Sequence, residues 1–406
     1  MLTPPEPLSG LAPPGLPAAD MPDPRTTMTL TELADFQAIA GHHITFSLTL
    51  ACPLRCTHCI VSASPDLKHT TMPVAVAQAY ADQMPALAAA GIRSLSFTGG
   101  EPFLAREQVK LLTESAAANG IKSGVVTAGH WGKSPTLARR LVEEFRGITN
   151  WDISIDSYHL DWIELGTVVN AIEAARDAGR RVTVRYSYND PPTDADRDIW
   201  AAIHDIAGVE IASQRVRTEG RARDLALEAP HRYSPWVKPC LTQGMVVRYD
   251  GSIAPCCLNL VEAREHPFQF GDARTRPLAD LHRDFLSHPL LQLIRVLGFS
   301  EVWTWLRDDG LDALVPEELP DDSCDLCSLL MRKPAVAAYL AERAARPEVE
   351  ARIALLASRV LGEHTMALHL VRRWREAPDS RPPGFADFDD YVAAVAGEEV
   401  GHARAN

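Results

Sequence analysis

The sequence lacks the features that mark membrane, secreted and nucleic-acid-binding proteins. No apolar run approaches the roughly 18 residues of a membrane-spanning helix. Residues 1–25 have neither the basic start nor the apolar stretch of a secretory signal. Basic residues are in deficit, with 40 Lys and Arg against 53 Asp and Glu, whereas a protein that follows phosphates needs clustered cations. The sequence therefore predicts a cytoplasmic protein that binds neither a membrane nor nucleic acid.

The chain of 406 residues is longer than one compact domain usually is. Its 46% hydrophobic and 23% charged residues are close to the globular average. Changes in composition along the chain predict four regions. They are a proline-rich flexible tail with a short helix (1–43), an α/β core (44–225), a small second unit (226–334) and a helical extension (335–406).

Short β-rich segments alternate with helical segments in the α/β core. The predicted strands are residues 44–50, 94–98, 124–127, 151–155, 181–186 and 210–216. This alternation predicts a parallel sheet with right-handed crossovers. Because about 170 residues are too few for eight units, we expect a partial (β/α)6 barrel of the TIM type. A β-hairpin with a turn at Asp250 and Gly251, and then helices, should form the second unit.

The eight cysteines are clustered, and in a reducing compartment clustered thiols are more often metal ligands or catalytic groups than disulfides. Cys52, Cys56 and Cys59 directly follow the first predicted strand, at the barrel end where active sites lie. Three thiolates are one fewer than a closed zinc site or a fully ligated cubane requires. The loop therefore predicts a metal centre with one open position, and a structural zinc loop is the alternative.

The spacing Cys-x-x-x-Cys-x-x-Cys after a first strand resembles the signature of the radical S-adenosylmethionine (radical SAM) superfamily. The resemblance continues at the ends of the second, fourth and fifth strands. It implies that these ends contact the bound S-adenosylmethionine through Gly99, Gly100, Glu101, Ser154, Asp156 and Arg185. The first three resemble the family's GGE motif, the next two match the ribose contact, and the arginine would pair with the methionine carboxylate. The family also uses a [4Fe–4S] cluster, held here by the three cysteines, and an electron donor such as flavodoxin or ferredoxin.

Four further cysteines resemble the ligands of an auxiliary [4Fe–4S] cluster. The order of Cys240, Gly251 and Cys256 resembles the opening of the SPASM and twitch domains, and Cys324 and Cys327 would complete the set. No cysteine follows Cys327, so we expect one auxiliary cluster, as in the shorter twitch form. A four-cysteine zinc site is the alternative, because zinc and iron-sulfur clusters share thiolate ligands.

One cysteine is left over, and its neighbour in the sequence is a predicted ligand. Adjacent strand residues point to opposite faces, so Cys256 and Cys257 are not expected to bind the same cluster. Cys257 is either a small buried thiol or, as in some radical epimerases of this superfamily, the donor of a hydrogen atom to a substrate radical.

The resemblance implies a 5′-deoxyadenosyl radical that removes hydrogen from an unactivated C–H bond. The first interpretation is oxidation or epimerisation of a small sugar- or cyclitol-like metabolite, because a single auxiliary cluster resembles that of an aminoglycoside-pathway dehydrogenase. The alternative is a peptide maturase, although neither the proline-rich tail nor the helical end resembles a leader-peptide-binding domain. A non-catalytic iron-sulfur or zinc scaffold is a third possibility, and it predicts no 5′-deoxyadenosine.

Overall fold

The computed structural model describes residues 30–225, 227, 239–257, 260–261, 265–315 and 323–393. The predicted proline-rich tail lies outside these residues. No helix within the described ranges combines the length and the hydrophobicity that crossing a bilayer requires.

A single open sheet of eight strands forms the core of the described structure. The strands are β1 (His43–Ser47), β2 (Ser94–Thr98), β3 (Lys122–Thr127), β4 (Ile148–Ile155), β5 (Arg181–Tyr188), β6 (Glu210–Arg215), β7 (Met245–Arg248) and β8 (Ile253–Ala254). Strands β1 to β6 follow one another in the sheet and pair in parallel. The predicted α/β partial barrel with six strands is therefore confirmed.

The α-helices of residues 30–203 precede β1 or connect the strands β1 to β6. They are α1 (Leu30–Ala38), α2 (Val74–Ala81), α3 (Met84–Ala89), α4 (Arg106–Ala118), α5 (Pro135–Glu144), α6 (Ser157–Leu160), α7 (Leu165–Asp177) and α8 (Asp194–Ile203). The segment 74–89 forms two helices, and Pro85, which lacks a backbone donor, is the second residue of the second helix. Thr193 and Asp196 form a capping box that fixes the start of α8.

The hairpin of β7 and β8 extends the barrel sheet. Strand β7 pairs in parallel with β1, with Ile44 opposite Met245, and β8 pairs antiparallel with β7. The hairpin was expected in the second unit, and no sequence pattern indicates its pairing with β1. In an open barrel the outer edge of β1 has unpaired backbone groups, and β7 satisfies them.

The remaining described α-helices follow the hairpin in the sequence and pack against one another. They are α9 (Leu278–Ser287), α10 (Pro289–Val296), α11 (Ser300–Asp308), α12 (Ser323–Met331), α13 (Pro334–Ala344), α14 (Pro347–Val360) and α15 (Thr365–Glu376). Arg295 of α10 is fully buried and forms an ion pair with Glu363 at 2.6 Å. The same guanidinium donates to the backbone oxygen of Gln37 in α1, so the pair ties the first helix to the last ones.

Candidate active site

The three cysteines that follow β1 line a cavity of about 280 Å³ inside the barrel. Cys52 and Cys56 are buried, and Cys59 is partly exposed. Burial raises the pKa of Cys52 to about 12 and also raises the pKa of Cys56, so both thiols stay protonated until a metal displaces the proton. Three sulfur donors on one cavity wall fit an iron-sulfur cluster that leaves one iron free for a small ligand.

The predicted GGE motif contacts the chain just before the cysteine loop. The amide of Gly100 donates to Thr49 O at 2.5 Å, and the amide of Glu101 donates to Ala51 O at 2.8 Å. A Cβ on Gly99 would overlap Thr49 O, and a Cβ on Gly100 would overlap Ala51 O. Both glycines also line the cavity. Their lack of side chains thus lets β2 approach the segment that carries the first cysteine.

The side chain of Glu101 is turned into the protein. It is fully buried and accepts hydrogen bonds from Thr127 Oγ1 at 2.9 Å and from the amides of Phe103 and Ala128 at 3.1 Å. These donors satisfy the carboxylate, which orders the loop after β2. A ligand in the cavity would meet this motif through its glycine backbone.

Asp156, at the end of β4, forms a buried cluster with two histidines. Its carboxylate lies 2.9 Å from His58 Nε2 and 2.7 Å from His159 Nδ1, and it accepts a hydrogen bond from the amide of His159 at 2.9 Å. Burial alone would raise the pKa of Asp156, but the two imidazoles hold it well below its usual value. Tyr158 stacks on His58 with ring centroids 4.9 Å apart. Because His58 lies between two of the cysteines, Asp156 joins β4 to the cysteine loop.

Ser154 and Arg185 lie opposite each other in neighbouring strands and line the same cavity. Arg185 donates to Asp152 Oδ2 from Nε at 2.8 Å and from Nη2 at 2.6 Å. A ligand carboxylate would therefore share the guanidinium with Asp152.

Arg221 binds the cysteine loop, a contact that the sequence does not predict. Its guanidinium donates to Cys56 O from Nε at 2.9 Å and from Nη2 at 2.7 Å, and to Ala63 O from Nη1 at 2.7 Å. The available signal was a Gly-Arg pair shortly after the last barrel strand. The sequence gives no indication that it reaches a loop about 160 residues earlier.

Three of the four predicted auxiliary ligands, Cys240, Cys256 and Cys327, lie near one another. Cys240, Cys256 and Cys327 pack against the main hydrophobic core. Burial, and then the neighbouring thiols of Cys240 and Cys256, raise the pKa of Cys327 well above its ordinary value. Cys324 lies one helical turn from Cys327, in α12. This grouping fits a centre held by four thiolates.

Cys257 differs from its neighbour Cys256 in its surroundings. It is exposed and lines the same cavity as the three cysteines after β1, whereas its neighbour Cys256 packs against the core. The two adjacent residues thus have different surroundings, and their binding to different sites stays a prediction.

Comparison with known protein families gives two matches along the chain. The model of the radical SAM superfamily matches residues 46–206. The model of SPASM, an iron-sulfur cluster-binding domain, matches residues 239–289. The first match contains the cysteine loop and strands β2 to β5, and the second contains the hairpin.

Two curated proteins resemble the chain. YydG of Bacillus subtilis, whose name provisionally assigns it to peptide biosynthesis, is 25% identical over 307 residues, which are 70% of this chain and 90% of YydG. GTP 3′,8-cyclase of Marinobacter nauticus is 28% identical over 161 residues, which are 38% of this chain and 47% of the cyclase.

Solved structures give more distant matches. BtrN in complex with AdoMet and 2-DOIA is 17% identical with a TM-score of 0.36, covering 62% of this chain and 86% of BtrN. SuiB of Streptococcus suis, bound to its precursor peptide SuiA, is 15% identical with a TM-score of 0.37, covering 62% of this chain and 66% of SuiB.

Proposed function

Because the chain belongs to the radical SAM superfamily and carries a SPASM domain, we propose that it is a radical enzyme that modifies a peptide. The observation that carries this proposal is the alignment with YydG, which extends over 90% of that protein and so includes more than the common barrel. The sequence alone favoured a small sugar- or cyclitol-like metabolite. The alignment moves the expected substrate to a peptide.

The cofactors of this enzyme are a [4Fe–4S] cluster with S-adenosylmethionine and an auxiliary iron-sulfur cluster. When bound, the first cluster and S-adenosylmethionine supply a 5′-deoxyadenosyl radical that can take hydrogen from an unactivated C–H bond. Cys52, Cys56 and Cys59 would hold the first cluster, and Cys240, Cys256, Cys324 and Cys327 the auxiliary one. The cavity walls would orient the peptide and exclude water from the reacting carbon.

Polar side chains supply the remaining contacts in the cavity. Ser154 presents a hydroxyl that could bind the ribose. Arg185 presents a guanidinium for the methionine carboxylate, and its ion pair with Asp152 fixes its direction. The carboxylates of Glu101 and Asp156 are already satisfied by protein donors. These two side chains would therefore hold the loops of the site in place and would not bind the ligand directly.

We assign the thiol of Cys257, which lines the cavity, the role of hydrogen-atom donor, which makes the proposed reaction an epimerisation. Loss of the Cα hydrogen leaves a carbon radical on the peptide. Transfer of the hydrogen of Cys257 Sγ–H to the opposite face completes the inverted residue and leaves a sulfur radical. One electron from a flavodoxin- or ferredoxin-type donor and one proton from water restore the thiol. The position of Cys257 in the lining of the cavity supports this role.

The test uses anaerobically reconstituted protein in D2O with S-adenosylmethionine, a reductant and peptides encoded by short reading frames beside the gene. We expect 5′-deoxyadenosine and a peptide with one inverted residue that has gained a single deuterium, because the thiol hydrogen exchanges with solvent. Cys257→Ala should still form 5′-deoxyadenosine but no inverted residue. Unchanged turnover of Cys257→Ala would refute the role of this thiol, and an unmodified peptide with the wild type would refute the peptide substrate.

A further inference from the structure

A short 3-10 helix after β6, Gly220–Asp224, packs directly on the cysteine loop. Gly220 has φ +55°, and a Cβ there would overlap the carbonyl oxygens of Cys59 and Ile60. The amide of Arg221 donates to Cys59 O at 3.1 Å. The glycine therefore allows the following arginine to reach the loop.

The guanidinium of Arg221 spans the cysteine loop. Its bonds to Cys56 O and Ala63 O hold two carbonyls that flank Cys59 in the sequence. The two bonds to Cys56 O place this cation against the backbone of a residue that would bind the first cluster. Arginine stays cationic at every pH at which the protein is folded.

We propose that Arg221 is a positioning residue that fixes the cysteine loop and raises the reduction potential of the cluster bound there. Reduction adds one negative charge to the cluster and its thiolates, and a fixed positive charge nearby stabilises the reduced form. This proposal rests on the radical SAM assignment and does not depend on a peptide as substrate.

The experiment is a redox titration of the reconstituted protein followed by electron paramagnetic resonance. The signal that changes when S-adenosylmethionine is added identifies the first cluster, and the other signal serves as an internal reference. Arg221→Met removes the charge, whereas Arg221→Lys keeps it without the planar set of hydrogen bonds. Arg223→Met is the matched control, because Arg223 is exposed in the same 3-10 helix.

For Arg221→Met we expect the ratio of reduced to oxidised first cluster, at a fixed potential, to fall about tenfold, which is about 59 mV for a one-electron couple. The auxiliary signal and the Arg223→Met variant should titrate like the wild type, and Arg221→Lys should lie closer to the wild type than to Arg221→Met. If the first cluster of Arg221→Met has the reduction potential of the wild type, the proposal is overturned. It is also overturned if the potential shifts equally in Arg223→Met or in Arg221→Lys.

A variant that does not retain the first cluster is tested by hydrogen exchange of the metal-free protein. Faster exchange of the amides in residues 56–63 of Arg221→Met than of the wild type would support the positioning role. Unchanged exchange in that segment would overturn it.

Discussion

Replacing Asp156 by Asn tests whether this carboxylate holds the cysteine loop to the end of β4. Asn retains an oxygen that can accept the amide of His159, so the cap of α6 should survive. It loses the negative charge that His58 and His159 face at 2.9 Å and 2.7 Å. A hydrogen bond to a charged group contributes about 1.5–3 kcal/mol, so weakening both should lower the local stability of the loop by about 3 kcal/mol.

Hydrogen exchange of the metal-free protein measures this local stability. Within the loop the amide of Cys59 donates to Cys56 O and the amide of Ser62 donates to Cys59 O, both at 3.2 Å. A loss of about 3 kcal/mol corresponds to exchange that is about 100-fold faster at these amides. Asp161→Asn is the control, because Asp161 is exposed at the end of α6. Exchange in Asp156→Asn within about threefold of the wild type would refute the reasoning, since each 1.4 kcal/mol is about a factor of ten.

Three further predictions concern pH, the helical region and the glycine motif. Burial lowers the pKa of His282 from 6.5 to about 4. Between these two pH values the unfolded state binds more protons than the folded state. The contribution of neutral His282 to the free energy of unfolding is therefore fully present above pH 6.5 and is lost as the pH falls to about 4. This loss of unfolding free energy is about 3 kcal/mol. The melting temperature of His282→Gln should therefore depend less on pH than that of the wild type, and an equal dependence in the two proteins would contradict this. Glu363→Gln should lower the free energy of unfolding in urea by about 3–5 kcal/mol, because it leaves Arg295 charged and buried. The double variant that combines Arg295→Met with Glu363→Leu should recover most of this loss. A loss below about 1 kcal/mol in Glu363→Gln would contradict the ion-pair argument. Gly100→Ala should retain about four fewer irons per chain than the wild type, because its Cβ displaces the start of the cysteine loop. Gly166→Ala is the control and should keep its iron, because nothing lies within 4 Å of a Cβ there. Equal iron contents in the two variants would show that the close approach of Gly100 to Ala51 is not needed.

The strands of the barrel could be predicted from the sequence because each is a short β-rich segment between helical segments. The pairing of β7 with β1 could not, since it depends on which sheet edge is open, and no local pattern records that. The break between α2 and α3 had a local signal in Pro85, which is the second residue of α3.

Sequence reasoning located the site better than it oriented the side chains. The first three cysteines line the cavity, as their position after β1 indicated, and Cys256 and Cys257 have different surroundings. The inward turn of Glu101 depends on donors about 26 residues further along the chain, and the reach of Arg221 depends on the packing of the segment after β6. Such contacts between distant segments are fixed by the tertiary fold.

The most direct test of the proposed function follows one labelled hydrogen from the peptide to the cofactor. The reconstituted enzyme, with reductant and S-adenosylmethionine, is given a peptide deuterated at Cα, and the 5′-deoxyadenosine is analysed by mass spectrometry. We expect the deuterium to appear in 5′-deoxyadenosine. Unlabelled 5′-deoxyadenosine from a peptide that leaves the reaction unaltered would contradict it.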